Sequence, residues 1–220
     1  MSEPSAVVPP ELQITCEDVV ADRYAAAPTV VLRLRVRELT GVAVHAIALR
    51  CQVRIEPLRR TYGDAEAARV VDLFGDRSRW GSTMHALQLG FVDRVVPGLP
   101  GPTGGETTVE LPLPLSYDVE VAAHKYLTAL GDGEIPLLLL FSGQILGAGP
   151  AGVTVQPIGW HTETRARLPV AVWREAMDAC FPGQAWLRVS RETYDRLAER
   201  RSELGVPGWD ALFSTLLEEP

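Results

Sequence analysis

Two residues near the end of a predicted strand, His161 and Glu163, have a spacing that permits acid–base chemistry. Residues two positions apart share one face of a strand, about 6–7 Å apart at Cα, so a histidine–carboxylate pair can form. General acid–base catalysis needs such a pair, but it also needs a nucleophile or a third ligand, and nothing in the sequence nominates one. A structural or surface role for His161 is therefore the main alternative to a catalytic one.

The sequence gives little support for metal or cofactor chemistry. His45 and Cys51 share a strand face, but roughly 20 Å of strand separates them, so one ion cannot bind both. Cys16, Cys51 and Cys180 form no C-x-x-C pair, which argues against a zinc cluster and a disulfide framework. The run from Gly147 to Gly152 has the G-x-G-x-x-G spacing of dinucleotide sites. A strand pattern follows it rather than a helix, so we interpret it as a hairpin loop and predict no metal and no cofactor.

Arginine side chains alternate with apolar ones along two consecutive predicted strands, Thr29–Arg37 and His45–Ile55. If Glu38–Ala43 connects these strands as a hairpin, five arginines project from one face of adjacent strands. We call this set the arginine stripe: Arg33, Arg35, Arg37, Arg50 and Arg54. Because arginine is enriched at protein interfaces, the stripe predicts a docking surface for an acidic partner. The alternative is neutralisation within the fold by outward acidic residues of later strands, namely Glu110, Asp118 and Glu120.

A sheet is needed to position these side chains, and apolar periodicity of two runs from Leu12 to about Thr164. Besides the two arginine-bearing strands, it predicts strands at Leu87–Val95, Thr107–Leu113, Tyr117–His124, Pro136–Leu146 and Val153–Arg165. One surface helix, Asp64–Phe74, interrupts this pattern, and a loop is expected at Pro97–Gly105. After Leu168 the period becomes 3.6, which predicts helices beginning near Pro169, after a Ser190 cap, and at Trp209.

The expected architecture is an α+β, mainly β protein. Residues 1–10 form a disordered leader, 11–167 an antiparallel β-sandwich-like core, and 168–220 a helical region docked on that core. Four of the five tryptophans, including Trp173 and Trp209, lie in the last 61 residues, which predicts aromatic packing between the helices and the sheet.

Net charge and hydropathy exclude several classes of partner. The formal net charge is −7, whereas nucleic-acid and anionic-membrane binders need a positive surface. The most apolar run, Ile135–Leu146, is shorter than the ~20 residues of a membrane helix. The first ten residues have no basic or long apolar segment, so we expect a cytoplasmic protein.

Several segments distributed along the chain carry a family resemblance. They are Val44–Pro57, Asp72–Gly75, Arg79–Gly81, Tyr117–Tyr126, Asp132–Gly143 and Leu168–Arg174. Together they resemble a family of bacterial proteins classed as a domain of unknown function. The resemblance implies an association with gene clusters for nickel–iron uptake hydrogenases and hence an accessory or maturation role. It implies no catalytic residues.

The function predicted from the sequence is a non-enzymatic accessory module that binds a protein partner and assists hydrogenase assembly. Two alternatives stay open. One is a carrier that holds an apolar small molecule between sheet and helices. The other is a hydrolase-like enzyme that uses His161 with a carboxylate.

Overall fold

Alternation of apolar and polar residues builds two antiparallel sheets, which confirms the mainly β, α+β prediction. The computed structural model describes residues 9–101, 105–115, 121–149, 152–184, 187 and 189–218. The chain divides into two units, Met1–Pro182 and Gly183–Pro220. The strands of the first unit are β1 (Leu12–Ala21), β2 (Thr29–Glu38), β3 (Val44–Ile55), β4 (Leu87–Leu99), β5 (Glu106–Pro114), β6 (Glu134–Gly149), β7 (Gly152–Pro157) and β8 (Glu163–Pro169).

The strands pair in two sets. Sheet A has the order β1-β2-β5, and sheet B has the order β4-β3-β6-β7, with β8 also paired to β6. The inner faces of both sheets contribute to one apolar core, in which Leu32 and Leu34 of sheet A and Ile47 and Val53 of sheet B are fully buried. The two sheets adjoin where β1 meets β8 and where β4 meets β5.

The predicted hairpin between the two arginine-bearing strands is wrong, because β2 lies in sheet A and β3 in sheet B. The segment from Leu39 to Ala43 crosses from one sheet to the other. The buried Glu38 carboxylate holds this crossing by accepting hydrogen bonds from the backbone N–H groups of Thr40, Gly41 and Val42 at 2.9, 2.6 and 3.1 Å. It also accepts one from the N–H of Glu11 at 3.1 Å, so Glu38 ties the beginning of β1 to the crossing segment.

Four further segments differ from the prediction. The single helix expected at Asp64–Phe74 is two, α1 (Asp64–Arg69) and α2 (Val71–Phe74), and α3 (Trp80–Thr83) follows them. The strand expected at Tyr117–His124 is wrong from Val121 onward, where α4 (Val121–Ala129) begins; residues 116–120 lie outside the described part. The long final strand is interrupted at Ile158–Thr162 and forms β7 and β8. The expected loop at Pro97–Gly105 begins later, because Pro97–Leu99 still belongs to β4.

The helices after β8 are α5 (Val170–Cys180), α6 (Arg191–Leu204) and α7 (Trp209–Glu218). In the first unit, α5 packs against β1, β2 and β8 and buries Trp173. In the second unit, the Ser190 hydroxyl accepts a hydrogen bond from the Thr193 N–H, which confirms the predicted cap, and α6 packs against α7. Docking of the whole region 168–220 on the core stays a prediction. The predicted leader falls mainly on residues 1–8, which lie outside the described residues.

Among the described residues no helix is long and apolar enough to cross a membrane.

Candidate interaction surface

The arginine stripe is divided between two sheets, and two of its three residues on sheet A are neutralised by acidic residues of neighbouring strands. Arg33 lies 3.1 Å from Glu110 of β5 and 3.6 Å from Asp18 of β1. Arg35 forms an ion pair with Glu17 and lies 3.9 Å from Glu106. The alternative explanation, neutralisation within the fold, therefore holds for these two guanidinium groups, and an acidic partner would have to displace both sets of carboxylates.

The other members of the stripe differ in their surroundings. Arg50, on the outer face of sheet B, lies 3.8 Å from Asp93 and 4.9 Å above the centre of the Phe91 ring. In the described part of the chain neither Arg37 nor Arg54 forms an ion pair. The remaining proposed acidic partners, Asp118 and Glu120, lie outside the described residues.

His161 lines an open cleft of about 730 Å³ together with Pro9, Pro10, Glu11, Thr40, Gln156 and Thr162 among others. Its ring lies against Gly159 and edge-on to Trp160, whose own side chain is 95% exposed. Glu163 does not complete the predicted pair: the described contacts place its carboxylate 3.9 Å from Arg165. No described carboxylate is hydrogen-bonded to His161, although Glu11 lines the same cleft, so the described contacts contain no completed histidine–carboxylate pair.

The other predicted chemical motifs are structural. Gly149 and Gly152 are directly paired ends of β6 and β7, so the glycine-rich run connects two strands as predicted, with residues 150–151 outside the described part. No group of three or more metal-ligating side chains occurs within the described ranges. Phe141 and Trp173 are buried and fill space that an apolar ligand between sheet and helices would need, although Trp160 does not contribute.

A buried polar cluster joins the helical insertion to the beginning of β6. The Arg60 guanidinium lies 2.8 Å from the Glu66 carboxylate, donates to the Glu134 carbonyl at 2.7 Å and also donates to the Asp132 carbonyl. Burial acts to raise the pKa of Glu66, but hydrogen bonds from the Gly131 N–H and Arg60 hold that pKa below its ordinary value. Beside it, burial raises the pKa of Tyr62 to about 12. The terminal nitrogens of Arg60 are used in holding the fold, whereas its Nε is buried and has no hydrogen-bond partner among the described residues.

The feature that sequence reasoning missed is an apolar area on the outer face of sheet B. The strand register places Pro97, Ala46, Leu146 and Val155 in one row across β4, β3, β6 and β7, and places Val95 beside Ala48 in the next row. We call these six residues the apolar patch. Val95 is 70% exposed and Val155 57% exposed. The register makes the six residues contiguous, and contiguous exposed apolar patches are typical of surfaces that another protein covers.

A shallow depression of about 440 Å³ adjoins the apolar patch. Ala48 and Val95 form its apolar part, while Arg50, Asp93, Arg94 and Gln144 supply its polar part. Gly143 lies in its floor with a φ of +131°, and a Cβ there would meet the Ala48 carbonyl oxygen at 1.9 Å. The surface therefore combines an apolar centre with a charged margin, which is the usual composition of a protein–protein interface.

The comparisons with known proteins identify a family for this chain but no activity. A family model described as "Family of unknown function (DUF6084)" matches residues 9–220. The chain belongs to this family. Membership in DUF6084 confirms the predicted resemblance to a domain of unknown function, while the association with hydrogenase gene clusters stays a prediction.

Other relatives add little about this DUF6084 chain. No curated protein matches it. The solution structure of a protein described as late embryogenesis abundant (LEA) is 14% identical, with 74% of this chain and 72% of that chain covered and a TM-score of 0.33. A protein from Archaeoglobus fulgidus is 8% identical, with 73% and 97% covered and a TM-score of 0.32. At these scores neither structure informs function.

Proposed function

We propose that this DUF6084 protein is a cytoplasmic, non-enzymatic accessory protein that binds a protein partner through the outer face of sheet B. The observation that carries the proposal is the apolar patch. Its Val95 and Val155 side chains are largely exposed on the outer face of sheet B. Covering such side chains is favourable by about 25 cal/mol per Å² of apolar surface removed from water. The binding surface we propose is therefore the apolar patch, with Arg50 at its margin, and not the arginine stripe.

The electrostatics of the two outer faces support this choice. On sheet A, Arg33 and Arg35 already have acidic partners on both neighbouring strands, so binding an acidic protein there exchanges existing ion pairs for new ones. Exposed ion pairs contribute at most about 1 kcal/mol each, so this exchange gives little affinity. On sheet B the gain comes from desolvating apolar surface. Arg50, stacked on the exposed Phe91, adds a planar cationic group at the margin.

The partner class we propose is a subunit or assembly factor of a nickel–iron hydrogenase. The support is the family resemblance and its implied association with uptake-hydrogenase gene clusters, together with the lack of a completed catalytic or metal-binding group in the described chain. An assembly partner has to be recognised and released, and an interface of modest apolar area with a charged margin suits such a transient contact.

The decisive experiment is complementation of a deletion strain, with hydrogenase activity as the readout. One variant combines Ala48→Lys with Val95→Glu. These residues are directly opposite each other, so the new side chains form a cross-strand ion pair that keeps the strand pairing and removes one of the two rows of the apolar patch. The matched control combines Arg33→Gln with Arg35→Gln on sheet A.

Wild type and the sheet A control should restore hydrogenase activity, and the A48K/V95E variant should not, although it melts at the wild-type temperature. Wild type and the sheet A control should also cross-link to the purified hydrogenase large subunit, and A48K/V95E should not. Full restoration by A48K/V95E would overturn the assignment of the surface. Unchanged hydrogenase activity in the deletion strain would overturn the assignment of the partner class.

A further inference from the structure

We propose that two copies of this chain associate through β7, edge to edge and antiparallel, into one continuous sheet. This deepens the proposed function, because the dimer would join the two apolar patches into one binding surface. Within the described residues β7 is the outermost strand of sheet B beyond β6. Its sequence, Gly-Val-Thr-Val-Gln-Pro, contains no charge, and Val153 and Val155 are 67% and 57% exposed. Edges of soluble sheets are usually protected by charges, prolines or bulges, and the body of this one is not.

The hydrogen-bonding direction along β7 shows which of its backbone groups are not bonded to β6. The Ile158 N–H donates to the Gly143 carbonyl at 3.0 Å, just beyond the strand. Antiparallel ladders alternate between bonded and non-bonded pairs, so Gln156, Thr154 and Gly152 direct their backbone groups toward β6. The N–H and C=O groups of Val153 and Val155 consequently point away from the sheet. Water can bind these exposed groups, and another extended backbone can replace that water by pairing with both residues.

The occupant we infer is a second copy, because β7 is complementary to itself. The Val-Thr-Val segment is symmetric about Thr154, so a two-fold axis there pairs Val153 of one copy with Val155 of the other, and the reverse. Each of these two pairs can exchange two backbone hydrogen bonds, four in total. The side chains form two β-branched cross-strand pairs on the outer face, and the lack of charge avoids like-charge contacts.

The pairing also extends the outer face. Val155 continues the row formed by Pro97, Ala46 and Leu146, and in the dimer Val153 of the second copy stands next in that row. The two four-strand paths would form a sheet of eight paired strands, within the usual size of open sheets. The apolar patches then lie on one surface that is twice as long.

Cysteine cross-linking tests the symmetry axis directly. Thr154→Cys places two thiols opposite each other at a non-bonded position, where Cα atoms approach to about 4.5 Å, within the range of a disulfide. Gln156→Cys is the matched control, because its two copies would lie roughly 13 Å apart along the strands. Under mild oxidation T154C should form a covalent dimer, and Q156C should remain as little cross-linked as wild type with its three native cysteines. Equal cross-linking of both variants, or none in T154C, would overturn the proposal.

Sedimentation velocity over a concentration series tests the association without any cross-link. Wild type should shift from monomer toward twice its 24.0 kDa mass. Val155→Pro removes an edge N–H that β6 does not use, so it should keep the fold and raise the dimer dissociation constant at least about tenfold. Val155→Thr keeps the N–H and the β-branch and should associate like wild type. A monomer at every concentration would refute the dimer and leave the proposed partner binding intact, since A48K/V95E does not alter β7.

Discussion

The outer faces of sheet A and sheet B differ in the kind of side chain that they expose to solvent. The outer face of sheet A carries alternating charges, and Arg33 and Arg35 are each placed between acidic residues of both neighbouring strands. The outer face of sheet B carries Ala48, Val95 and Val155 in the same type of position. Both faces come from regular antiparallel strands. The difference is that sheet A pairs Arg33 and Arg35 with its own carboxylates, whereas sheet B leaves apolar area uncovered.

The largest expected effect concerns the backbone of sheet B. Gly143→Ala forces a Cβ to within 1.9 Å of the Ala48 carbonyl oxygen and also requires an unfavourable φ of +131°. We expect a loss of at least about 3 kcal/mol in the free energy of unfolding, measured by urea denaturation. Gly152→Ala is the matched control, because φ there is +121° but, chain neighbours aside, no atom of the described residues lies within 4 Å of the added Cβ. It should cost about 1–2 kcal/mol. Equal losses for both variants would show that close approach to β3 is not what requires Gly143.

A smaller effect is expected where the two sheets are connected. Glu38→Gln replaces a carboxylate oxygen by an NH₂ group that cannot accept the bonds from the crossing segment, at a cost of about 2–3 kcal/mol. Burial acts to raise the pKa of Glu38, but hydrogen bonds from Thr40, Glu11 and Gly41 outweigh it and hold the pKa below the ordinary 4.5. A lowered folded-state pKa means that the carboxylate stabilises fully above pH 4.5, and the contribution is lost as pH falls through the folded-state pKa.

The free energies of unfolding of wild type and E38Q should therefore differ most near neutral pH and converge in acid. Glu110→Gln, which alters an exposed carboxylate paired with Arg33, is the control and should cost less than about 1 kcal/mol. A constant difference between wild type and E38Q from pH 7 to pH 3 would contradict the role assigned to the charge.

The smallest effect should come from the charges of sheet A. Arg33→Glu combined with Arg35→Glu places new carboxylates beside Glu17, Asp18, Glu106 and Glu110. We expect a loss of about 1 kcal/mol at low salt that shrinks when salt screens the repulsion. Chemical denaturation at two ionic strengths measures it. The A48K/V95E variant on sheet B should show little change at either ionic strength. A salt-independent loss in R33E/R35E would mean that packing, not charge, fixes these side chains.

The alternation of apolar and polar residues predicted most strands, because one face of each strand packs in the core and the other faces solvent. Val30, Leu32, Leu34 and Val36 are buried as expected, and β2 has its predicted extent to within one residue. The pairing of strands was not predictable, because a six-residue connection suits a hairpin and a crossing between sheets equally well. The crossing between sheets is stabilised by one side chain, because the Glu38 carboxylate accepts hydrogen bonds from the crossing segment. The apolar periodicity of the sequence does not reveal this interaction.

The surface was predictable only in part, for a related reason. The sequence shows that Arg33 and Arg50 point outward, but their neighbours depend on the pairing of strands. Valine is a residue type typical of cores. The exposure of Val95 and Val155 is therefore recognisable only after the strand register places them on the outer face of sheet B. The helix α4 was missed because alternation up to Val121 continues into a stretch in which Ala123, Tyr126 and Leu127 are buried with helical spacing.

Arg60 has a consequence for which substitutions this fold can accept. A single guanidinium bridges the Glu66 carboxylate and two backbone carbonyls, so its planar array of donors is matched to three acceptors at once. An ammonium group is a compact point charge on a flexible stem and cannot reach all three in that geometry. At exposed positions, unlike the buried Arg60, replacement of arginine by lysine should cost little. We expect lysine not to replace arginine at position 60. The helical insertion and the first residues of β6 should therefore keep the same relative geometry in any functional variant.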